Sequence, residues 1–219
     1  MRKVGVVRQR KGLYNTNNMI DTDNAIDPVK ETFLQKTWHL FLEIIQDLTL
    51  LLSGFVLIYL FLFRPHQVNG MSMYPNFHDK EFVLSEQFCY HFRDPRRGEV
   101  VIFKAPPTEP CAAIECEYIK RIVALPGEMV IVKDNAVYIN DRLLEEEYLP
   151  SQTITRPGEF LTSDREIMVP KDSYLLLGDN RGGSRDGRDF GFIKKDDLVG
   201  RALLCYWPID RFGIIQESF

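Results

Sequence analysis

Three short stretches of the chain carry side chains able to do chemistry together. Ser72 stands in Val68-Asn69-Gly70-Met71-Ser72-Met73-Tyr74-Pro75, where Gly70 and Pro75 predict a tight, exposed turn. A serine beside a glycine is usually a plain turn residue, and as a nucleophile it needs a base. His66, His78 and His91 lie beyond the apolar segment described below, but no G-x-S-x-G elbow accompanies them, which leaves a Ser-His-Asp triad with little support. Lysine can serve instead if it is uncharged, which requires burial away from water. Lys120 lies in Tyr118-Ile119-Lys120-Arg121-Ile122-Val123-Ala124, where strand alternation puts Tyr118, Lys120 and Ile122 on one face and Ile119, Arg121 and Val123 on the other. The strand alone fits a surface lysine lying over apolar stems better than a buried base. The third stretch, Gly178-Asp179-Asn180-Arg181-Gly182-Gly183-Ser184-Arg185-Asp186-Gly187-Arg188, follows the apolar run Tyr174–Leu177. It is too polar and Gly-rich for a core element. It offers hydroxyl, carboxylate and guanidinium groups suited either to orienting a lysine or to a solvated loop.

The elements that must position these groups fall into two kinds. Leu48 to Phe63 (LTLLLSGFVLIYLFLF) is sixteen residues without a charge, somewhat short of the ~20 that cross a bilayer. Extension back to Leu40 supplies the length and takes in Glu43 and Asp47 at one end, where headgroups can solvate them. With 39 residues before it and no small-x-small site after it, the segment reads as a membrane span rather than a cleaved leader. Arg2, Lys3, Arg8, Arg10, Lys11, Lys30 and Lys36 precede the span, which places the N-terminus in the cytoplasm. After Arg64 the pattern is strand-like. Glu81–Glu86, Glu99–Lys104, Glu117–Ala124, Met129–Lys133, Ala136–Asn140, Ser173–Leu177 and Leu198–Trp207 are short, Val/Ile-rich runs bounded by turn signals. Lys133-Asp134-Asn135 predicts a hairpin, and Leu125-Pro126-Gly127-Glu128 a second turn. The soluble part is therefore predicted to be all-β or nearly so, a folded-over sheet or partial barrel.

Composition excludes several functions. The net charge of −4 carries no basic excess for nucleic acid. The four cysteines follow no metal-ligand spacing and the four histidines do not cluster with them, so neither a metal nor a cofactor is expected. Asp21, Asp23 and Asp27 loosely follow a calcium loop, but Ile26 stands at its glycine position and Thr32 at its final glutamate. Asp189-Phe190-Gly191 spells the kinase magnesium motif without the remaining kinase segments.

Taken together, the three stretches resemble the bacterial type I signal peptidases. Ser72-Met73-Tyr74-Pro75 is similar to that family's S-M-x-P motif, and Arg97-Gly98-Glu99-Val100-Val101-Ile102-Phe103 to its R-G-D-[IV]-V-[VI]-F strand. Tyr118 to Glu128 is similar to its lysine motif, and Gly178 to Arg188 to its G-D-N-R-x-x-S-x-D-x-R motif. The four occur in the family's order and span about residues 64–207. The resemblance implies an all-β catalytic core shared with self-cleaving repressors, and cleavage of signal peptides from exported preproteins after small residues in an Ala-x-Ala-like pattern. It implies Ser72 as nucleophile and neutral Lys120 as general base. Ser184 is expected to hold the Lys120 amine, with Asp186, Arg188 and Arg121 bracing the site. Asp186 should pair with Arg188, with Arg121 as the alternative partner. By position, Val68, Met73, Phe77 and Ile119 should line a shallow apolar pocket. The organisation that follows is a polar cytoplasmic tail (1–38), a transmembrane helix (39–63) and an extracytoplasmic catalytic domain (64–219), single-pass in the plasma membrane and in contact with lipid.

Three positions depart from the family pattern. Gly70 stands where some members carry a serine hydroxyl, so an oxyanion hole must rely on the Ser72 N–H and on a mobile loop or water. Asn76 follows the motif proline where threonine is usual. Gly182-Gly183 replaces a commoner Asp-Asn. Cys111 and Cys116 flank a short loop and can pair on the trans side of a membrane, or stay as two thiols. Two other readings share some of these features. A self-cleaving repressor should carry a helix-turn-helix, for which the residues before the span are too few. An inactive membrane-anchored binding module is opposed only by the intact Ser72 and Lys120.

Overall fold

The computed structural model describes residues 33–109, 116–163 and 165–216. The expectations for the tail before residue 33, including Asp21, Asp23 and Asp27, and for Cys111 lie outside the described residues. The chain divides into two compact units, 1–52 and 53–219. Helix α1 (Phe33–Leu62) starts six residues before the expected span. Phe33, Leu34 and Trp38 continue its apolar character, and Phe33–Tyr59 is long and apolar enough to cross a membrane, with a mean hydropathy of 1.9.

Twelve strands follow among the described residues, all paired antiparallel. They are β1 (Phe63–Gln67), β2 (Phe82–Glu86), β3 (Val100–Lys104), β4 (Glu117–Ala124), β5 (Met129–Lys133), β6 (Ala136–Ile139), β7 (Arg142–Leu143), β8 (Ile167–Met168), β9 (Ser173–Leu177), β10 (Ile193–Lys194), β11 (Leu198–Trp207) and β12 (Gly213–Ile214). The larger sheet runs β1-β2-β11-β3-β4-β9-β10, with β12 beside β11, and the smaller runs β7-β6-β5-β8. Its end strands β1 and β10 do not pair, so the larger sheet is folded rather than closed. β1 begins at the residue after α1, and the Gln87 N–H donates to the Leu62 carbonyl (3.2 Å), which pins the helix end to the end of β2.

The strands that read as continuously apolar are covered on both faces. On β3, Val100 and Ile102 point into one cluster with Val68, Met73, Phe77 and Val83, while Val101 and Phe103 point into another with Tyr90, Ile122 and Leu176. On β9, Tyr174 and Leu176 join that second cluster, and Leu175 and Leu177 join a third, with Val123, Val130 and Val132, under the smaller sheet. The two turns take the geometry their residues dictate. Asp134 and Asn135 both have positive φ (51° and 61°), as a two-residue hairpin requires, and Gly127 takes φ +82° after Pro126. Two four-residue helices, α2 (Cys89–Phe92) and α3 (Gly187–Phe190), complete the elements used below.

One divergence of strands creates the site. β4 pairs with β3 from Glu117 to Arg121 but with β9 only from Arg121 onward, where Arg121 faces Leu177. Beyond Leu177 the chain leaves the sheet at Gly178, so Lys120 stands one residue past the last β9 contact. The long loop that follows, rather than a strand, covers it. Leu177→Ala would open a cavity in the third cluster and should destabilise the detergent-solubilised protein by about 2–5 kcal/mol, read as a lowered thermal midpoint.

Candidate active site

Lys120 is 4% exposed, and its Nζ lies 2.8 Å from Ser72 Oγ and 3.0 Å from the Ile119 carbonyl. Burial lowers its pKa from 10.5 to about 8, against the opposing charges of Asp186, Asp179 and Glu109. A neutral amine fits these contacts. One N–H donates to the Ile119 carbonyl while the lone pair accepts from the Ser72 hydroxyl. The Tyr118 ring, on the same strand face, lies 5.3 Å from Nζ.

Ser72 is half-buried in a turn closed by the Tyr74 N–H to the Met71 carbonyl (3.1 Å) and the Phe77 N–H to the Met73 carbonyl (2.9 Å). Gly70 enters the turn at φ +91°, and its N–H donates to Asp79 Oδ1 (2.7 Å). Nothing lies within 4 Å of where a Cβ would stand, so the backbone angle rather than space calls for glycine there. The Ser72 N–H has no hydrogen-bond partner among the described residues and is available to a developing oxyanion.

The 178–188 loop grips the Ser72 turn directly. The Asn180 N–H donates to the Ser72 carbonyl (3.0 Å), and its side-chain amide donates to the Met71 carbonyl (3.0 Å). Gly178 lies so close that a Cβ would fall 2.5 Å from the Ser72 carbonyl oxygen and 2.1 Å from Ser184 Oγ. The structure places Ser184 differently from expectation. Its hydroxyl is buried with no hydrogen-bond partner among the described residues, and the Lys120 amine is held by Ser72 and Ile119. The loop passes on the carbonyl side of Ser72, and this draws Ser184 against Gly178.

The partner of Asp186, expected to be Arg188 with Arg121 as the alternative, is Arg188. Asp186 pairs with Arg188, both Nε–Oδ1 and Nη2–Oδ2 at 2.8 Å, accepts from the Gly178 N–H (2.9 Å) and caps α3. Arg121 instead binds Asp179 in bidentate fashion (2.9 and 2.7 Å) and the Gly98 carbonyl (2.8 Å). Asp189 completes the α3 capping box, which gives the apparent kinase motif a purely structural use.

Ser72 and Lys120 open onto a cleft of about 580 Å³. Val68 and Ile119 line it as expected, joined by Val83 and Ile102. Met73 and Phe77 do not line it. They are 0% and 4% exposed and form the apolar packing beneath the Ser72 turn, because that turn rolls them inward against Val83 and Val100. Two titratable groups on the cleft wall escaped the sequence reading. Glu109, buried, accepts from Arg185 Nε at 3.0 Å with each carboxylate oxygen. His66 sits between Ser85 Oγ (2.8 Å from Nε2) and Glu117 (3.0 Å from Nδ1), and burial lowers its pKa in spite of Glu117. Ser85 is 0% exposed, so this Ser-His-Glu arrangement cannot meet a substrate. β1, which carries His66, is too short and polar to stand out, and Glu109 is distant in sequence from its partner. No group of three or more His, Cys, Asp or Glu among the described residues is placed to hold a metal. Cys116 is disulfide-bonded, while Cys89 and Cys205 are free and buried.

A family described as signal peptidase, peptidase S26, matches residues 41–207. A signal peptidase I of Leptolyngbya laminosa is 34% identical over 157 residues, 70% of this chain and 73% of the relative. Signal peptidase IB of Staphylococcus aureus is 29% identical over 78% of this chain and 93% of its own length. The crystal structure of a signal peptidase I from Enterococcus faecalis is 30% identical, with a TM-score of 0.40 over 50% of this chain and 97% of that one.

The lowered pKa makes a stability prediction independent of catalysis. Between about pH 8 and 10.5 the unfolded chain keeps a proton on Lys120 that the folded chain has lost, so stability rises with pH across that window. Below pH 8 the full penalty, roughly 3 kcal/mol, applies. Lys120→Met should therefore unfold at a higher temperature than wild type at pH 7, with the gap narrowing by pH 9.5. A gap that does not change with pH would contradict the burial argument.

Proposed function

We propose, since the chain belongs to the signal peptidase family, peptidase S26, that it is a membrane-bound serine endopeptidase that removes signal peptides from exported preproteins, with Ser72 as nucleophile and Lys120 as general base. The observation that carries this reading is the 2.8 Å contact between Ser72 Oγ and a lysine amine buried deeply enough to lose its proton at about pH 8 instead of 10.5.

The steps follow from the geometry. The Lys120 lone pair takes the hydroxyl proton as Ser72 Oγ attacks the scissile carbonyl, and the free Ser72 N–H donates to the oxyanion. The resulting ammonium gives its proton to the departing amine of the mature protein and becomes neutral again. It then deprotonates the water that attacks the acyl-serine, and returns that proton to Ser72 as the signal peptide leaves. Arg121, Asp186 and Arg188 act at one remove, through the strand and loop that carry the reacting groups. Val68 and Ile119, with Val83 and Ile102 behind them, present a close apolar wall that suits a small side chain beside the scissile bond.

The N-terminus lies in the cytoplasm, residues 39–63 cross the bilayer, all but Phe63 within α1, and the domain from residue 64 onward works on the far side against the lipid surface. The basic residues ahead of α1 support this orientation. The lack of glutathione-poised reduction there suits the Cys116 disulfide.

Purified in detergent and given a preprotein with an Ala-x-Ala cleavage site, the wild type should release the mature chain, and Ser72→Ala and Lys120→Ala should each lose at least ~10³-fold in rate. Undiminished cleavage by Ser72→Ala would overturn the assignment. The wild-type rate should rise about tenfold per pH unit toward pH 8 and level off above it, following the neutral fraction of Lys120. A rate that is flat from pH 6 to 9 with chemistry limiting would exclude the lysine as base.

A further inference from the structure

The segment between β7 and β8 takes no part in the mechanism, yet it is fastened to both loops of the site. Arg181, buried, reaches out of the 178–188 loop to Glu146 (Nη1–Oε2, 2.7 Å), Thr155 Oγ1 (2.8 Å) and the Tyr148 hydroxyl (3.1 Å). The Arg121 guanidinium stacks 4.1 Å from the Tyr148 ring centre. From the other side, the Asn76 amide donates to the Tyr148 carbonyl (2.9 Å) and at the same time to Asp179 Oδ2 (2.8 Å).

Asn76 lies four residues after Ser72, on the turn that carries it. Asp179 is the carboxylate that also holds Arg121 in bidentate fashion, and Arg121 is the neighbour of Lys120 on β4. The nucleophile's turn and the base's strand are thus both tied to one carboxylate, through Asn76 on one side and Arg121 on the other. The ring closes through the Asn180 N–H, which returns from the residue after Asp179 to the Ser72 carbonyl. Only a side chain with two donors can join Asp179 and the Tyr148 carbonyl at once. An amide has two and a hydroxyl has one.

We infer that Asn76 is a positioning residue for the reaction: its amide fastens the Tyr148 segment and the Ser72 turn to Asp179, and so sets the distance from Ser72 Oγ to Lys120 Nζ. The inference rests on the Ser72/Lys120 assignment above and adds that the Tyr148 segment is part of the site's framework. Asn76 touches no reacting atom. Its removal should lower kcat and leave the cleft, and hence KM, largely as it is.

The test uses the full chain in detergent with the same preprotein. Asn76→Ala should lower kcat by about tenfold to a hundredfold, as expected when a reacting pair is displaced by a fraction of an ångström to one ångström. KM should stay within about twofold, and the midpoint of the pH–rate profile should not move, because the burial of Lys120 is unchanged. Asn76→Thr, which keeps one donor, should fall between Asn76→Ala and wild type. Hydrogen exchange supplies a readout apart from activity: the Asn180 amide should exchange faster in Asn76→Ala, and the thermal midpoint reports whether the fold is kept. Wild-type kcat in a folded Asn76→Ala, or loss of activity only in proportion to loss of folded protein, would overturn the inference. An active Ser72→Ala would instead overturn the reading on which it rests.

Discussion

The arrangement depends on a lysine that gives up its proton easily although it stands among carboxylates. Asp186, Asp179 and Glu109 each act to protonate Lys120, and burial outweighs them. Each of the three is held by an arginine: Asp186 by Arg188, Asp179 by Arg121, Glu109 by Arg185. A carboxylate bound at 2.7–3.0 Å to a guanidinium presents much of its field to that partner, so less of it reaches the amine. Two of the three arginines of the 178–188 loop, Arg185 and Arg188, serve this end. Acidic groups are needed there for hydrogen bonding to backbone N–H groups and for capping α3, and the arginines confine their charge.

The sheet supplies the burial. Lys120 is an interior residue of a strand, covered on one edge by β3 and on the other by a loop rather than a strand. A continued β9 would have paired with Lys120 and left no room for Ser72. By leaving the sheet at Gly178, the chain lets the same loop close over the lysine, bind the Ser72 carbonyl through Asn180 and present Asp179 to Arg121. The buried Arg121–Asp179 pair is costly in desolvation, and its remaining donors and acceptors are met by Gly98, Asn76 and the Tyr148 ring.

Much of this was legible in the sequence wherever one physical rule dominated. β4, β5, β9 and β11 were read to the residue because each is a run rich in apolar residues bounded by turn signals. The Asp134-Asn135 hairpin was legible because few residues accept two successive positive φ angles. Ser72 and Lys120 could be singled out by chemistry and motif, but their juxtaposition depends on pairings 48 residues apart. β1 was missed because Phe63-Arg64-Pro65-His66-Gln67 is an edge strand that buries little. Met73 and Phe77 were assigned to the cleft because apolar residues beside a nucleophile suit a pocket and a core equally, and only the roll of the turn decides between them. The pairing of Arg121 with Asp179, and the placing of Ser184 against Gly178, depend on the course of a glycine-rich loop that local preferences leave open.

α1 passes into β1 with no residue between them, and the Gln87–Leu62 hydrogen bond holds that junction to β2. The last turn of α1 and the edge of the sheet are therefore joined by the chain and by this hydrogen bond. Nine residues lie between Leu62 and Ser72, and the turn at Gly70 folds part of that length back. The tether thus acts as a ruler: however the helix lies, Ser72 stays within ~35 Å of its end.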